Sequence, residues 1–182
     1  RARIVLDILC RIKSSLGDEF PVLIKMNSED FIDGGLTIDD SLQIARLLEE
    51  AGIDAIELSG GTADAASQFK PVRRGRLPSQ DKEVFYRDAA KRYKETINVP
   101  LILVGGIRYY SVAEVLVDDG LADFVSLRRP LIMEPRLVAR WKSGDTTKSE
   151  CGSCNLCFKP ILSGEGMYCV SQEREREKAS RQ

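Results

Sequence analysis

Short apolar runs alternate along most of the chain with stretches in which apolar residues recur at helical spacing. The apolar runs have the length of buried strands, and they occupy residues 21–26, 54–59, 100–104 and 123–127. The helical spacing is found in residues 2–15, 38–50, 81–94, 112–117 and 136–141. The pattern therefore predicts one helix followed by four strand-helix repeats.

Capping residues support several of these helix limits. Thr37 and Asp40 have the spacing of a capping box at the start of the second helix. Ser111 is the predicted N-cap of the helix over 112–117. Glycines such as Gly17 and Gly120 stand where helices are expected to stop.

Four nearly continuous apolar strands joined by helices indicate an α/β fold with a parallel sheet. Two architectures satisfy this order: an open doubly wound sheet, or a closed (β/α)8 TIM barrel of which four strands are present. A complete barrel takes about 250 residues. We expect residues 1–145 to form half a barrel and residues 146–182 to form a cysteine-rich tail with a charged C-terminus.

Composition restricts the possible functions. The 182 residues carry 27 Lys and Arg against 28 Asp and Glu, a formal net charge of −1, so no general basic field favours nucleic acid. No apolar run approaches the roughly 18 residues that a membrane span needs. The chain lacks histidine, which excludes Ser-His-Asp catalysis and His-ligated zinc within it.

Glycine and arginine pairs directly follow two successive predicted strands. Gly105 and Gly106 come after the third strand, and Arg128 and Arg129 come after the fourth. Ligands of parallel sheets bind at the carboxyl ends of the strands, where glycines allow a close approach and Arg binds phosphate with two donors. The pairs therefore predict a phosphate site, and the alternative is a tight turn followed by a surface arginine pair.

Lys25 lies within the apolar run 22–26. An unpaired ammonium buried in a core is costly, so a lysine at a strand end points either into a ligand site or out to water. The sequence pattern leaves both interpretations open.

Four of the five cysteines fall within nineteen residues: Cys151, Cys154, Cys157 and Cys169. Such clustered thiols are typical of an iron–sulfur cluster or of structural zinc with four cysteine ligands. Disulfides are the alternative, but a parallel α/β chain without a secretory signal indicates the reducing cytoplasm. Cys10, on the first helix, is predicted to be a small buried apolar residue. The chain begins at Arg1 without an initiator Met, and we expect it to be part of a longer protein.

Several motifs in the same order resemble the second half of the Old Yellow Enzyme family. They are Arg1-Ala-Arg3-Ile4, Val22-Leu-Ile-Lys25, Leu48-Glu-Glu-Ala-Gly52-Ile-Asp54, Val99-Pro-Leu-Ile-Leu-Val-Gly-Gly-Ile107, Ala122-Asp123-Phe-Val and Arg129-Pro-Leu-Ile132. The cysteine tail is similar to that of the NADH:flavin oxidoreductase branch, which includes 2,4-dienoyl-CoA reductase. Two departures are Arg128, where the family generally has Gly, and the spacing of two residues between Cys154 and Cys157, where the branch usually has three.

The resemblance implies the C-terminal half of a TIM barrel that binds FMN and passes hydride from NAD(P)H to an activated alkene, such as a small unsaturated carbonyl compound. It implies that Gly105, Gly106 and Arg129, with Arg128 beside them, bind the FMN phosphate. Lys25 would occupy the position of the basic residue beside the flavin N1/O2 edge. The four tail cysteines would bind a [4Fe–4S] cluster, with zinc as the alternative.

A fragment of this kind would lack the first four strands and the loops that bind substrate. We therefore expect it to be inactive alone and to form a homo-oligomer through its exposed sheet edges. Two other functions remain open: half of a phosphate-binding barrel isomerase or biosynthetic enzyme, and a non-catalytic scaffold with a four-cysteine zinc site.

Overall fold

A computed structural model describes residues 2–181, and their centre is one sheet of four parallel strands in the order β1-β2-β3-β4. Each strand pairs with the next strand along the chain, and the helices connect them. The strands are β1 (Leu23–Asn27), β2 (Ala55–Ser59), β3 (Leu101–Val104) and β4 (Phe124–Ser126). This architecture confirms the predicted α/β fold. Its four parallel strands are half the number in a TIM barrel.

Helices connect the strands and continue into the tail. Their bounds are α1 (Arg3–Leu16), α2 (Ile38–Glu50), α3 (Arg87–Lys94), α4 (Tyr110–Asp118), α5 (Arg129–Met133), α6 (Leu137–Lys142), α7 (Phe158–Leu162) and α8 (Val170–Ala179), with a 3-10 turn at Gln80–Lys82. The capping box of Thr37 and Asp40 is present at the start of α2. The pattern does not predict the short helices α5 and α7, whereas α8 lies on the charged C-terminal segment 173–178, which is predicted to be a solvated helical or frayed tail.

One face of the sheet packs beneath the helices and is fully buried on the two central strands, β2 and β3. Ile56 and Leu58 of β2 and Leu101 and Leu103 of β3 are all 0% exposed and pack with the inner sides of α1 to α4. Successive side chains of a strand point to opposite faces, so the residues between them form the other face. In one row of that face, Lys25, Glu57, Ile102 and Phe124 stand in register across the four strands.

This second face has no covering layer within residues 2–181, and Phe124 is 58% exposed there. In a closed barrel this face would point to the interior. The chain therefore buries the helical side of its sheet and leaves the barrel side open.

Helix α3 begins later than the spacing predicts. The prediction was a helix over 81–94, whereas the structure has a short turn, then an irregular link and a helix from Arg87. Buried Val84 has a left-handed φ of 59°, and the next residue, Phe85, donates its N–H to the Gly105 carbonyl at 3.1 Å. That bond attaches the link to the end of β3, and it interrupts the helix.

Two smaller predictions are wrong. Ser111 lies inside α4, whose N-cap is Tyr109, and that cap has no side-chain hydrogen bond. Cys10 is exposed and not buried, because the helical face that packs on the sheet runs through Leu9.

Asp54 joins three elements at the start of β2. Its carboxylate accepts hydrogen bonds from Lys13 Nζ at 2.7 Å and from the Val22 N–H at 2.6 Å. The Lys13 bond, and secondly the Val22 bond, lower the pKa of Asp54 below 3.8. Because the folded pKa is depressed, this carboxylate stabilises the fold above the unfolded pKa, and the contribution is lost as pH falls through the folded pKa.

We therefore expect Asp54→Asn to destabilise the chain at about pH 7, and the difference from the wild type to shrink as pH falls below the unfolded pKa and through the depressed folded pKa of Asp54. Urea unfolding of both proteins across this range measures the difference. Asp64→Asn is the matched control, because it removes an exposed carboxylate outside this contact. A pH-independent difference for Asp54→Asn would contradict the assignment.

Candidate functional site

All five residues predicted to bind a cofactor line one cavity at the carboxyl ends of the strands. The cavity measures about 400 Å³, and we name it the strand-end cavity. Its lining includes Lys25 of β1, the glycines after β3 and the arginines after β4: Gly105, Gly106, Arg128 and Arg129. Parallel strands carry these residues to one edge of the sheet, because their carboxyl ends coincide.

The two glycines also allow aromatic side chains to form one wall of the cavity. Gly105 and Gly106 have φ values of 133° and 78°, which side-chain-bearing residues rarely adopt. A Cβ at Gly106 would lie 2.5 Å from the Phe85 ring, and one at Gly105 would lie 3.1 Å from the Tyr86 ring. Both positions therefore require glycine for backbone conformation and for space.

Lys25 is held at the mouth of the cavity by Glu57. The two side chains form an ion pair across β1 and β2, where they are register partners. The Lys25 side chain is 54% exposed, so its ammonium group stays partly hydrated and keeps some of its mobility in the ion pair. Sequence reasoning missed Glu57, although the signal was available: Glu57 is the one charged residue in the stretch 55–58, opposite the one charged residue of the preceding strand.

Arg129 is almost fully buried between the strand-end cavity and the tail. Its exposure is 8%, and its Nη1 donates to the Arg73 carbonyl at 2.7 Å and to Asn155 Oδ1 at 2.8 Å. Burial lowers the pKa of Arg129, and the thiolates of Cys151 and Cys157 act in the opposite direction. The Arg129 guanidinium thus lies between the strand-end cavity and the cysteines of the tail.

Arg128 differs from its neighbour in both conformation and exposure. Its φ is −112°, so the backbone needs no glycine at this position. The side chain is exposed, and its guanidinium carbon lies 4.9 Å from the centre of the Phe158 ring in α7. Arg128 therefore reaches the strand-end cavity from the side of the tail.

The four tail cysteines line a second cavity, of about 240 Å³, on the other side of Arg129. We name it the cysteine cavity, after Cys151, Cys154, Cys157 and Cys169. All four thiols are free, and none pairs in a disulfide. Within residues 2–181, no three Cys, Asp or Glu side chains are grouped as a site for a single metal ion.

The thiols of the cysteine cavity influence each other's ionisation. Burial raises the pKa of Cys157, and the charges of Cys151 and Cys154 raise it further. Burial also acts to raise the pKa of Cys154, but the hydrogen bond with the Ser171 hydroxyl and backbone N–H donors outweigh it and lower this pKa. The four thiols therefore lie together beside the buried guanidinium of Arg129.

Arg108 attaches the tail to the end of β3, and sequence reasoning missed it. The side chain donates to the Ser153 hydroxyl at 2.8 Å and to the Cys151 carbonyl at 3.3 Å. Buried Glu83 accepts the Arg108 backbone N–H at 2.9 Å, and burial raises the pKa of Glu83. The sequence signal was the position of Arg108, two residues after Gly106.

Comparison with known proteins identifies the family. A sequence model described as the NADH:flavin oxidoreductase / NADH oxidase family matches residues 1–148. The chain belongs to this family. The resemblance to Old Yellow Enzyme proteins, which carried the prediction of a TIM-barrel fold, is thereby confirmed.

Curated relatives of this family member include the NADH oxidase of Thermoanaerobacter brockii. It is 32% identical over 92% of the chain, which corresponds to 27% of the relative. The 4,4'-dithiodibutanoate disulfide reductase of Rhodococcus erythropolis is 29% identical over 84% of the chain and 44% of the relative. The chain thus covers 27% of the length of the first relative and 44% of the length of the second.

Solved structures of the family have the same fold. A 2-naphthoyl-CoA reductase in complex with 2-naphthoyl-CoA superposes with a TM-score of 0.69 at 26% identity, over 82% of this chain and 22% of the other. The Old Yellow Enzyme homologue of Zymomonas mobilis superposes with a TM-score of 0.56 at 20% identity, over 81% of this chain and 38% of the other.

None of the described helices has the length and hydrophobicity to cross a membrane.

The close approach at Gly106 yields a stability prediction. Gly106→Ala meets both an unfavourable φ and the Phe85 ring, whereas Gly120→Ala, with a φ of 67°, meets no atom within 4 Å. We expect Gly106→Ala to be more destabilising than Gly120→Ala by about 1–3 kcal/mol, the usual cost of overpacking. Urea unfolding of both variants measures this difference. Equal losses of stability would contradict the expectation, because they would show that the Phe85 ring moves aside without cost.

Proposed function

We propose that this chain supplies the FMN-binding half of an NAD(P)H-dependent flavin oxidoreductase. The observation that carries the proposal is the strand-end cavity, where Lys25, the glycine pair and the arginine pair meet at the carboxyl ends of parallel strands. Phosphate sites of TIM barrels form at this face, from the loops after the last two strands. Membership of the NADH:flavin oxidoreductase family supports the same cofactor.

The donors of the cavity fit a phosphate group. Arg129 retains Nε and Nη2, which make no hydrogen bond within residues 2–181, while Nη1 is held by two acceptors. Arg128 adds an exposed guanidinium at the same edge. Arginine forms short, charge-assisted bonds to phosphate oxygens, so these two side chains would bind and orient the phosphate end of FMN.

Lys25 fits the flavin end of FMN. When bound, FMN supplies hydride transfer between a nicotinamide and an acceptor. In this proposal Lys25 would lie beside the flavin N1/O2 edge, where its positive charge would favour an anionic ring. Glu57 holds the ammonium in place through the ion pair.

For the complete protein we propose hydride delivery from NAD(P)H to an activated C=C bond, such as that of a small unsaturated carbonyl compound. The Old Yellow Enzyme fold and the reductase relatives support this reaction class. Residues 2–181 provide four strands of eight and leave the barrel face of the sheet open. The chain alone is therefore proposed to bind FMN without completing catalysis, and to self-associate through exposed positions such as Leu23 and Phe124.

The cysteine cavity is proposed to hold a [4Fe–4S] cluster. Four free thiols line one space, with the buried charge of Arg129 beside them. The similarity of the tail to the NADH:flavin oxidoreductase branch supports the cluster, and a zinc ion with four cysteine ligands is the alternative. Free thiols also agree with a reducing compartment, and we propose the cytoplasm.

Arg129→Ala tests the phosphate assignment. Because charged hydrogen bonds to a buried anion are lost, we expect FMN affinity to fall by at least about tenfold. Quenching of FMN fluorescence during titration measures the affinity. The matched control is Arg46→Ala, which removes an exposed arginine of α2 outside the cavity. An unchanged affinity in Arg129→Ala, or saturable binding lost equally in Arg46→Ala, would overturn the assignment.

Anaerobic reconstitution tests the cysteine assignment. With iron and sulfide supplied, we expect about four irons and four acid-labile sulfides per chain. Cys154→Ser is expected to reduce both, while Cys10→Ser, which alters a cysteine outside the cavity, is expected to retain them. Stoichiometric zinc without sulfide would support the scaffold function in place of the cluster.

A further inference from the structure

The tail segment 151–157 contacts the loop that borders the strand-end cavity. That loop, residues 71–76, contributes Pro71 and Val72 to the cavity lining. We infer that Asn155 is a positioning residue, which holds Arg129 and this loop together so that the strand-end cavity is prepared for an anionic ligand. Only the identity of that ligand, FMN, rests on the proposed function.

Asn155 makes two different contacts. Its Oδ1 accepts from Arg129 Nη1 at 2.8 Å, and its Nδ2 donates to the Val72 carbonyl at 3.5 Å. The same Arg129 nitrogen donates to the Arg73 carbonyl at 2.7 Å. One amide therefore connects the tail with both the buried guanidinium and the loop.

A backbone hydrogen bond beside Asn155 strengthens this connection. Gly75 donates its N–H to the Ser153 carbonyl at 3.1 Å. Ser153 and Asn155 have left-handed φ values of 52° and 63°, a conformation that Asn adopts more readily than most residues. The unusual backbone turns this part of the tail toward the loop.

The other side of the segment is anchored to the barrel. Arg108, which follows β3 and is 7% exposed, binds the Ser153 hydroxyl and the Cys151 carbonyl. Ser149 donates its N–H to the Arg108 carbonyl at 2.9 Å. The tail is thus fixed to the end of β3, and from there it restrains the loop after β2.

This arrangement determines how Arg129 meets a ligand. Both hydrogens of Nη1 are used by the Arg73 carbonyl and by Asn155, so the plane of the guanidinium is set before any ligand arrives. The remaining nitrogens, Nε and Nη2, keep their donors for an anion. Fixing a side chain in its binding geometry reduces the entropy lost on binding. The contact therefore favours anion binding even though Asn155 does not itself line the strand-end cavity.

Two measurements on Asn155→Gly test the inference. Glycine accepts the left-handed φ, so the variant removes the amide without backbone strain. We expect trypsin to cleave after Arg74 and Arg76 about tenfold faster, since the exposed loop is released. We also expect the affinities for inorganic phosphate and FMN to fall by about three- to tenfold. Mass spectrometry identifies the loop cleavages, and isothermal titration measures the affinities.

Asn155→Asp separates the two contacts. It keeps an acceptor for Arg129 and removes the donor to Val72, and it places a negative charge against the anion site. Because a carboxylate cannot donate to the Val72 carbonyl, we expect trypsin to cleave the loop faster than in the wild type, and we expect phosphate affinity to fall because of the added negative charge. Ser163→Gly is the matched control, because Ser163 caps α7 in the same tail and its hydroxyl bonds only within that helix.

The outcomes distinguish the inference from the proposed function. If the wild-type chain binds phosphate but not FMN, and Asn155→Gly both exposes the loop and weakens phosphate binding, the inference stands and the cofactor assignment falls. If the wild type binds neither phosphate nor FMN, both are overturned. If the wild type binds FMN and Asn155→Gly matches Ser163→Gly in both cleavage rate and affinity, the inference is overturned. Faster cleavage with unchanged affinity would overturn the role of Asn155 in preparing Arg129.

Discussion

The alternation of side chains along four parallel strands is the constraint on which the rest of the structure depends. Ile56 and Leu58 point toward the helices together with Leu101 and Leu103, and all four are excluded from water. Because the period is two, burial of this face forces the intervening residues, Lys25 and Glu57 among them, onto the other one. The same pairing brings the strand ends into line, so the glycine pair and the arginine pair reach one edge of the sheet.

Burial of two arginines beside that edge requires compensation. A buried guanidinium is stable only when its donors and its charge are satisfied. Arg108 donates to backbone carbonyls and to Ser153, with Glu83 near its backbone, and Arg129 donates to Arg73 and Asn155. Most of these acceptors are backbone carbonyls or belong to the tail. The tail therefore has a structural part in the barrel edge, whatever its cysteines bind.

Features that depend on local sequence pattern could be predicted. Features that depend on contacts between residues distant in the sequence could not. Strand positions followed from apolar runs, and Lys25, Gly106 and Arg129 could be assigned to one edge because strand ends coincide. Val84 was placed in a helix because its spacing suits one, yet the bond from Phe85 to Gly105 imposes a left-handed backbone. The contacts of Asn155 could not be predicted, because its partners Val72 and Arg129 lie far away in sequence. Cofactor assignments came from the family resemblance and remain proposals.

The division of residues between the two halves of a barrel explains what this chain can do by itself. Phosphate recognition needs donors from the ends of adjacent strands, and β3 and β4 are adjacent here. Catalysis at a flavin needs a second set of loops across the barrel, and closure needs strands against both β1 and β4. The two requirements are therefore separable: the helical core lies on the other side of the sheet from the barrel face, so burial of that core does not depend on the contacts that the proposed anion site uses. The barrel face, where Phe124 is 58% exposed, is the side of the sheet that the described residues leave open.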